Sequence, residues 1–266
     1  FLSFFQKQHP NAIGTSFSQD CENLTFFDIK KPNFFSLNLK NQGYDSVIIA
    51  SAIPNIDFCE KNFHLSREVN VTGMLELIKQ ISSESLKVVF FSSDYVFDGK
   101  KGNYSDNDQT NPSTIYGKQK EEVENAIPDL SDNYLIVRLS KTYGLRKNDN
   151  TLLDEMALNL IRNKAMKLAC DQYFSPTNIH DIIDATNLLM GCNKIGVFNM
   201  ASPQRISRLQ IGKVLANALN ANLSLIDSVR LHDLENMESR PLDTSLASHR
   251  LERETSFCFR SLDNDI

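Results

Sequence analysis

The stretch Lys87-Val88-Val89-Phe90-Phe91-Ser92-Ser93 restricts the fold more than any other part of the chain. A short apolar run rich in β-branched and aromatic residues reads as a buried strand. It breaks into Ser92-Ser93-Asp94-Tyr95-Val96-Phe97-Asp98-Gly99, which puts small hydroxyls at a strand's carboxyl end, where open α/β sheets bind their ligands. A polar, turn-rich segment follows, and then Tyr116-Gly117-Lys118-Gln119-Lys120. Tyr116 and Lys120 are four residues apart, so on a helix they share one face. A hydroxyl, a phenol and an ammonium can thus meet in one cleft and pass a proton to a carbonyl oxygen.

The rest of the chain supplies the framework. Phe1 to Gln8 reads as the tail of an amphipathic helix stopped at Pro10. It is too short for the h-region of a secretory leader, and no basic segment precedes it. Strands are expected at Ala12–Ser16, Leu24–Asp28, Asp45–Ala50 and Tyr134–Leu139, with a short helix over Asn33–Asn41 and a long one over Phe63–Ser82. This alternation predicts an α/β fold, a Rossmann-like doubly wound parallel sheet. Beyond Lys141 a polar loop to Asn150 is followed by helices at Leu152–Asn163, Ile179–Met190 and Ser207–Leu219. Strands are expected there at Met166–Cys170, Gly196–Met200 and Leu223–Val229. The division read from this pattern is a dinucleotide-binding domain over 1–145 and mainly a smaller substrate lobe over 146–266, with the chain crossing back to the first.

Composition excludes several classes. A net charge of −5 without a basic cluster gives no footprint for nucleic acid. Five scattered cysteines, with no Cys-x-x-Cys pair and no metal-ligand spacing, point to reduced thiols in a cytoplasmic protein. No apolar run approaches the roughly 18–20 residues of a membrane span.

Four motifs in order carry a resemblance: Ser92 to Gly99, Tyr116-x-x-x-Lys120, Asp171-Gln172-Tyr173-Phe174-Ser175-Pro176-Thr177 and Arg240-Pro241-Leu242-Asp243-Thr244-Ser245. The chain resembles the extended short-chain dehydrogenase/reductase superfamily, and within it the dTDP-4-dehydrorhamnose reductases. The resemblance implies an enzyme that uses NADP or NAD, NADP slightly preferred, to reduce a 4-keto-deoxysugar nucleotide for deoxysugar and polysaccharide biosynthesis. A nucleotide-sugar substrate is the implied partner, and a homodimer is compatible with it. The family opens with a strand, a glycine-rich turn and a helix. No such glycine pattern begins this sequence, so Phe1 is expected inside the first helix, with the first strand missing. That strand sits centrally in a doubly wound sheet, and its loss predicts two unpaired edges in a fragment of a longer protein.

The resemblance also assigns roles. Tyr116 is the expected general acid. A free phenol titrates near pH 10, and Lys120 would bring it down as a neighbouring cation while bonding the nicotinamide ribose. The plain alternative is a surface helix with a lysine and a half-buried tyrosine. Ser93 would hold the substrate oxygen, with Ser92 as the neighbour a one-residue slip would select; a serine capping a turn is the alternative. Tyr95, where the related dehydratases carry Glu, favours simple reduction, and Phe97 is grouped with it on the substrate side. Asp28 and Ile29 would flank the adenine, and Ala50-Ser51-Ala52 would line the cofactor cleft. Thr15 and Ser16 stand where an acid would repel a 2′-phosphate, hence the tilt to NADP. Gln172, Pro176 and Thr177 match the substrate loop, and Arg240 suits a diphosphate; a surface arginine before proline is its alternative. His180 is read as part of a helix start. Two rivals stay open: a non-catalytic regulatory protein similar to the regulatory subunit of methionine adenosyltransferase, and a sugar-nucleotide epimerase.

Overall fold

The computed structural model describes residues 2–17, 24–144, 151–234 and 240–266. Phe1, Cys21, the later part of the expected 141–150 loop and the proposed 145/146 boundary lie outside them. The chain opens with α1 (Leu2–Phe5), then β1 (Thr15–Ser16), β2 (Thr25–Phe26) and β3 (Ser46–Ile49). Helices α2 (Ile56–Lys61), α3 (Phe63–Arg67) and α4 (Met74–Ser83) lead to β4 (Lys87–Ser93), α5 (Ile115–Leu130) and β5 (Tyr134–Leu139). There follow β6 (Thr142–Tyr143), α6 (Leu152–Ile161), β7 (Met166–Ala169), β8 (Tyr173–Phe174), β9 (Thr177–Asn178) and α7 (Ile179–Gly191). The chain ends with β10 (Gly196–Met200), β11 (Ile206–Ser207), α8 (Arg208–Ala218), β12 (Ile226–Val229), α9 (His249–Thr255) and α10 (Leu262–Asp265).

Strand β4 sits inside a four-stranded sheet of order β10-β5-β4-β3, in parallel register with β3 from Ser46↔Lys87 to Ile49↔Phe90. Every residue of β4 is buried, as expected of a parallel strand covered on both faces. Val88 and Phe90 join Leu77, Ile78 and Ile81 of α4 and Val123 and Ile127 of α5 in one cluster. Among the described residues β3 pairs on one side only, and β1 pairs with β2 in a separate two-stranded ribbon.

Two units are distinct. One comprises Phe1–Ser92, Thr114–Val137 and Asn193–Val197, the other Ser93–Ser113, Arg138–Cys192 and Phe198–Ile266. The chain passes between the units at the end of β4, just before α5, within β5, just before β10 and within β10. In the second unit, β7 pairs with β12, β8 with β11 and β6 with β9. Its core joins Met156 and Leu160 of α6 to Ile211 and Leu215 of α8 and to Leu262. Helix α8 starts with a reciprocal cap between Ser207 and Gln210, which satisfies two otherwise orphaned N–H groups.

Three expected elements differ. The helix over Asn33–Asn41 is two 3₁₀ turns, Phe34–Leu37 and Lys40–Gln42. Asn38 (φ 49°) and Gly43 (φ 83°) end them in left-handed conformations, which stops propagation. The helix over Phe63–Ser82 contains a wide π-type turn at Glu68–Gly73. The strand over Leu223–Val229 begins as a 3₁₀ turn, Leu223–Leu225. No helix among the described residues is long and apolar enough to cross a membrane.

Candidate functional site

In the first unit the site is built where β4 ends beside α5. Thr114 caps α5 by accepting from Gly117 N at 3.1 Å, which fixes the helical phase of Tyr116 and Lys120. Both are buried. Lys120 Nζ donates to Phe91 O at 2.8 Å and stands 4.5 Å from the Phe90 ring centre and 5.9 Å from that of Tyr116. Burial lowers its pKa from 10.5 to about 8, opposed by the charge of Glu124 one turn on. An ammonium has three N–H donors, so this one keeps capacity for a ligand. Next along β4 from Phe91, the buried Ser92 Oγ has no hydrogen-bond partner among the described residues.

Within the wide turn before α4 sits a buried amide that sequence reading missed. Asn70 is buried. Its Oδ1 accepts from Ile53 N at 2.7 Å, and its Nδ2 donates to Ile53 O at 3.1 Å and to Gln119 Oε1 at 2.8 Å. Gln119 in turn donates to Ser66 Oγ at 2.9 Å. The loop after β3 is thereby tied to the helix that carries Tyr116 and Lys120. One turn-length later, a Cβ on Gly73 would lie 2.0 Å from Ile29 O, so the backbone after β2 packs directly against this turn.

The remaining residues assigned to the cofactor lie at strand ends of the same unit. Thr15, Ala50 and Ser51 are exposed, and Ser16, Asp28, Ile29 and Ala52 half-buried. Asp28 Oδ1 accepts from Lys30 N at 2.9 Å, closing a turn. An exposed rim of small residues, an unpartnered buried hydroxyl at Ser92 and an ammonium with spare donors fit the ribose and nicotinamide end of a dinucleotide.

In the second unit Ser93 caps the turn Asp94–Val96, accepting from Tyr95 N at 3.2 Å, and donates to Asp94 Oδ1 at 3.0 Å. The turn-capping role is therefore present. Phe97, grouped with the substrate side in the sequence reading, is fully buried and stacked on Tyr104 at 4.1 Å. Thr177 is also fully buried, its hydroxyl donating to Ser175 O and accepting from Ser202 N, both at 3.0 Å. Pro176 is buried beside it. Gln172 accepts from Arg208 Nε at 3.1 Å. Arg240 lines an open cleft of about 730 Å³ with Arg205, Lys100 and Tyr173; there Arg205 stacks 3.7 Å over Tyr173 and pairs with Asp243 at 2.7 Å. Arg208 was not anticipated. Its pKa is lowered by burial, raised by Tyr95 and lowered again by the charge of Arg240. His180 lies in the first turn of α7, its N–H bonded to the Asn178 cap at 2.8 Å.

A parallel sheet with a buried Tyr-x-x-x-Lys pair beside a strand's carboxyl end defines a Rossmann-like α/β protein of the reductase type. The chain belongs to the RmlD substrate binding domain family, whose profile matches residues 5–266. It is 28% identical over 226 residues to "Probable low-salt glycan biosynthesis reductase Agl14" of Haloferax volcanii, covering 84% of this chain and 75% of that one. It is 27% identical over 213 residues to a dTDP-4-dehydrorhamnose reductase of Aggregatibacter actinomycetemcomitans (75% and 71%). The beta subunit of methionine adenosyltransferase 2 from Bos taurus also matches, 23% identical over 269 residues (93% and 76%). Among solved structures, a dTDP-4-dehydrorhamnose reductase from Bacillus anthracis in complex with NADP superposes with a TM-score of 0.83 at 21% identity, covering 98% of this chain and 92% of that one.

Proposed function

We propose that the protein is an NAD(P)H-dependent reductase of a 4-keto-deoxysugar nucleotide, similar to dTDP-4-dehydrorhamnose reductase. The observation that carries this reading is the buried Lys120 ammonium, 5.9 Å from the Tyr116 ring on one face of α5. A nicotinamide, when bound, supplies hydride to the keto carbon. Tyr116 gives its phenolic proton to the carbonyl oxygen, and the Lys120 charge lowers the cost of the phenolate left behind. Lys120 Nζ and Ser92 Oγ would hold the ribose hydroxyls. Arg208 and Arg240, two guanidinium groups whose charges oppose each other, would be drawn together by a diphosphate. Hydroxyls at Thr15 and Ser16, with no acid on β1, favour NADPH.

Nicotinamide absorbance with a dTDP-4-keto-6-deoxysugar tests this. Wild type should oxidise NADPH, and Tyr116→Phe should lose on the order of 10²-fold or more in kcat, the usual contribution of a positioned acid. Equal rates would remove Tyr116 from the mechanism. The match to a methionine adenosyltransferase beta subunit supports a second reading, a non-catalytic partner on the same fold. It predicts cofactor binding without turnover.

A further inference from the structure

The buried carboxyl of Asp94 has no part in the chemistry above, yet it is the hub of a closed hydroxyl network within the second unit. It is 3% exposed. Thr244 Oγ1 lies 2.7 Å and Ser140 Oγ 3.4 Å from its Oδ2, and Ser93 Oγ lies 3.0 Å from its Oδ1. Ser140 Oγ also accepts from Ser175 N at 3.1 Å. The charged group facing Asp94 is Lys141, whose Nζ stands 5.4 Å from the Tyr95 ring centre.

The protonation of Asp94 decides what Ser93 can offer a ligand. Ser93 Oγ already accepts the Tyr95 N–H. A hydroxyl has one proton and two lone pairs. If Asp94 is ionised, that proton is drawn to Oδ1, and only a lone pair remains for a ligand oxygen. A carbonyl oxygen has no proton to give, so this state repels it. If Asp94 carries a proton on Oδ1 it donates to Ser93 Oγ instead, which fills both lone pairs and turns the serine proton outward. We propose, resting on the reductase reading, that Asp94 is a positioning residue that works as the neutral acid and makes Ser93 the hydrogen-bond donor to the substrate oxygen. Burial favours this form by raising the carboxyl's pKa, with Lys141 and the three hydroxyls opposing.

Asp94→Asn separates the two cases, because the amide N–H₂ replaces the acid proton while its oxygen still accepts from Thr244. The variant should keep kcat within about tenfold of wild type, whereas Ser93→Ala should lose on the order of 10²-fold, the size seen on removing an oxyanion donor. In the Ser93→Ala background Asp94→Asn should add nothing further. The pH profile supplies a readout that a purely structural carboxyl would not move. Asp94→Asn should erase the fall in kcat caused by ionisation of Asp94, and Lys141→Met should move it to higher pH. The limb near pH 8 set by Lys120 should remain in both. A loss on the order of 10²-fold in Asp94→Asn would overturn the proposal. The protonation itself is read without turnover: a wild-type minus Asp94→Asn infrared difference spectrum at neutral pH should contain a carboxylic-acid carbonyl band. Absence of that band overturns the proposal even in a protein that proves non-catalytic, whereas inactivity of wild type with the band present would count against the reductase reading alone.

Discussion

Lys120→Met should make the protein more stable at neutral pH and less stable in strong alkali. The depression of the Lys120 pKa from 10.5 to about 8 corresponds, at about 1.4 kcal/mol per unit, to roughly 3 kcal/mol spent on keeping the ammonium buried. Methionine removes that cost but leaves Phe91 O without its 2.8 Å donor, a loss of about 1 kcal/mol. The net gain at neutral pH is therefore roughly 2 kcal/mol. The sign follows from linkage. Below about 8 both states hold the proton, and wild type carries the full cost. Between about 8 and 10.5 the unfolded chain binds more protons than the folded one, so wild-type stability rises with pH. Above 10.5 the lysine is neutral in both states, and wild type should lead by about 1 kcal/mol. Urea denaturation of both proteins across this range gives a difference curve in which all other titrations cancel. Its expected feature is a change of sign between the two values. A variant less stable at every pH, by a constant amount, would refute the reasoning about burial. Turnover should be lost in the same variant, the usual conflict between a strained site and stability.

Two further substitutions probe the frame of the site. Gly73→Ala places a Cβ 2.0 Å from Ile29 O and 2.8 Å from Ile29 C; backbone cannot step aside cheaply, so a loss of about 3 kcal/mol in denaturant titration is expected, and a change under roughly 0.5 kcal/mol would show that the contact relaxes freely. Asn70→Ala removes both bonds to Ile53 and the one to Gln119. It should cost about 2–3 kcal/mol and raise KM for NADPH more than KM for the sugar nucleotide. An equal rise in both would deny the loop after β3 a special role in holding the cofactor.

How much of this was legible depends on how far along the chain each cause lies. Strand β4 was readable end to end because all seven of its residues are buried, so its composition reports its environment directly. The Tyr116–Lys120 pair was readable because a helix makes neighbours of residues four apart. Asn70 was not, since a polar residue in a helical pattern ordinarily faces water, and its partners Ile53 and Gln119 lie 17 and 49 residues away. The same distance hides the setting of Asp94, whose partners Ser140 and Thr244 are 46 and 150 residues off.

Motif membership has the converse weakness, because it marks residues that belong together without saying which of them face a ligand. In the Ser92–Gly99 run, Ser92 keeps a buried, unpartnered hydroxyl, Ser93 and Asp94 bond each other, and Phe97 is spent on the core against Tyr104. Gln172 and Thr177 divide likewise: one positions Arg208, while the other holds the chain at Ser175 and Ser202. A reductive site needs donors whose protons are not already committed. Among the described residues, Ser92 Oγ at the end of β4 has no partner, and Lys120 has N–H donors beyond the one given to Phe91 O. In the second unit Ser93 turns its proton outward only when the proton on Asp94 releases it, so what the motif can donate depends on one buried carboxyl as well as on the hydroxyls around it.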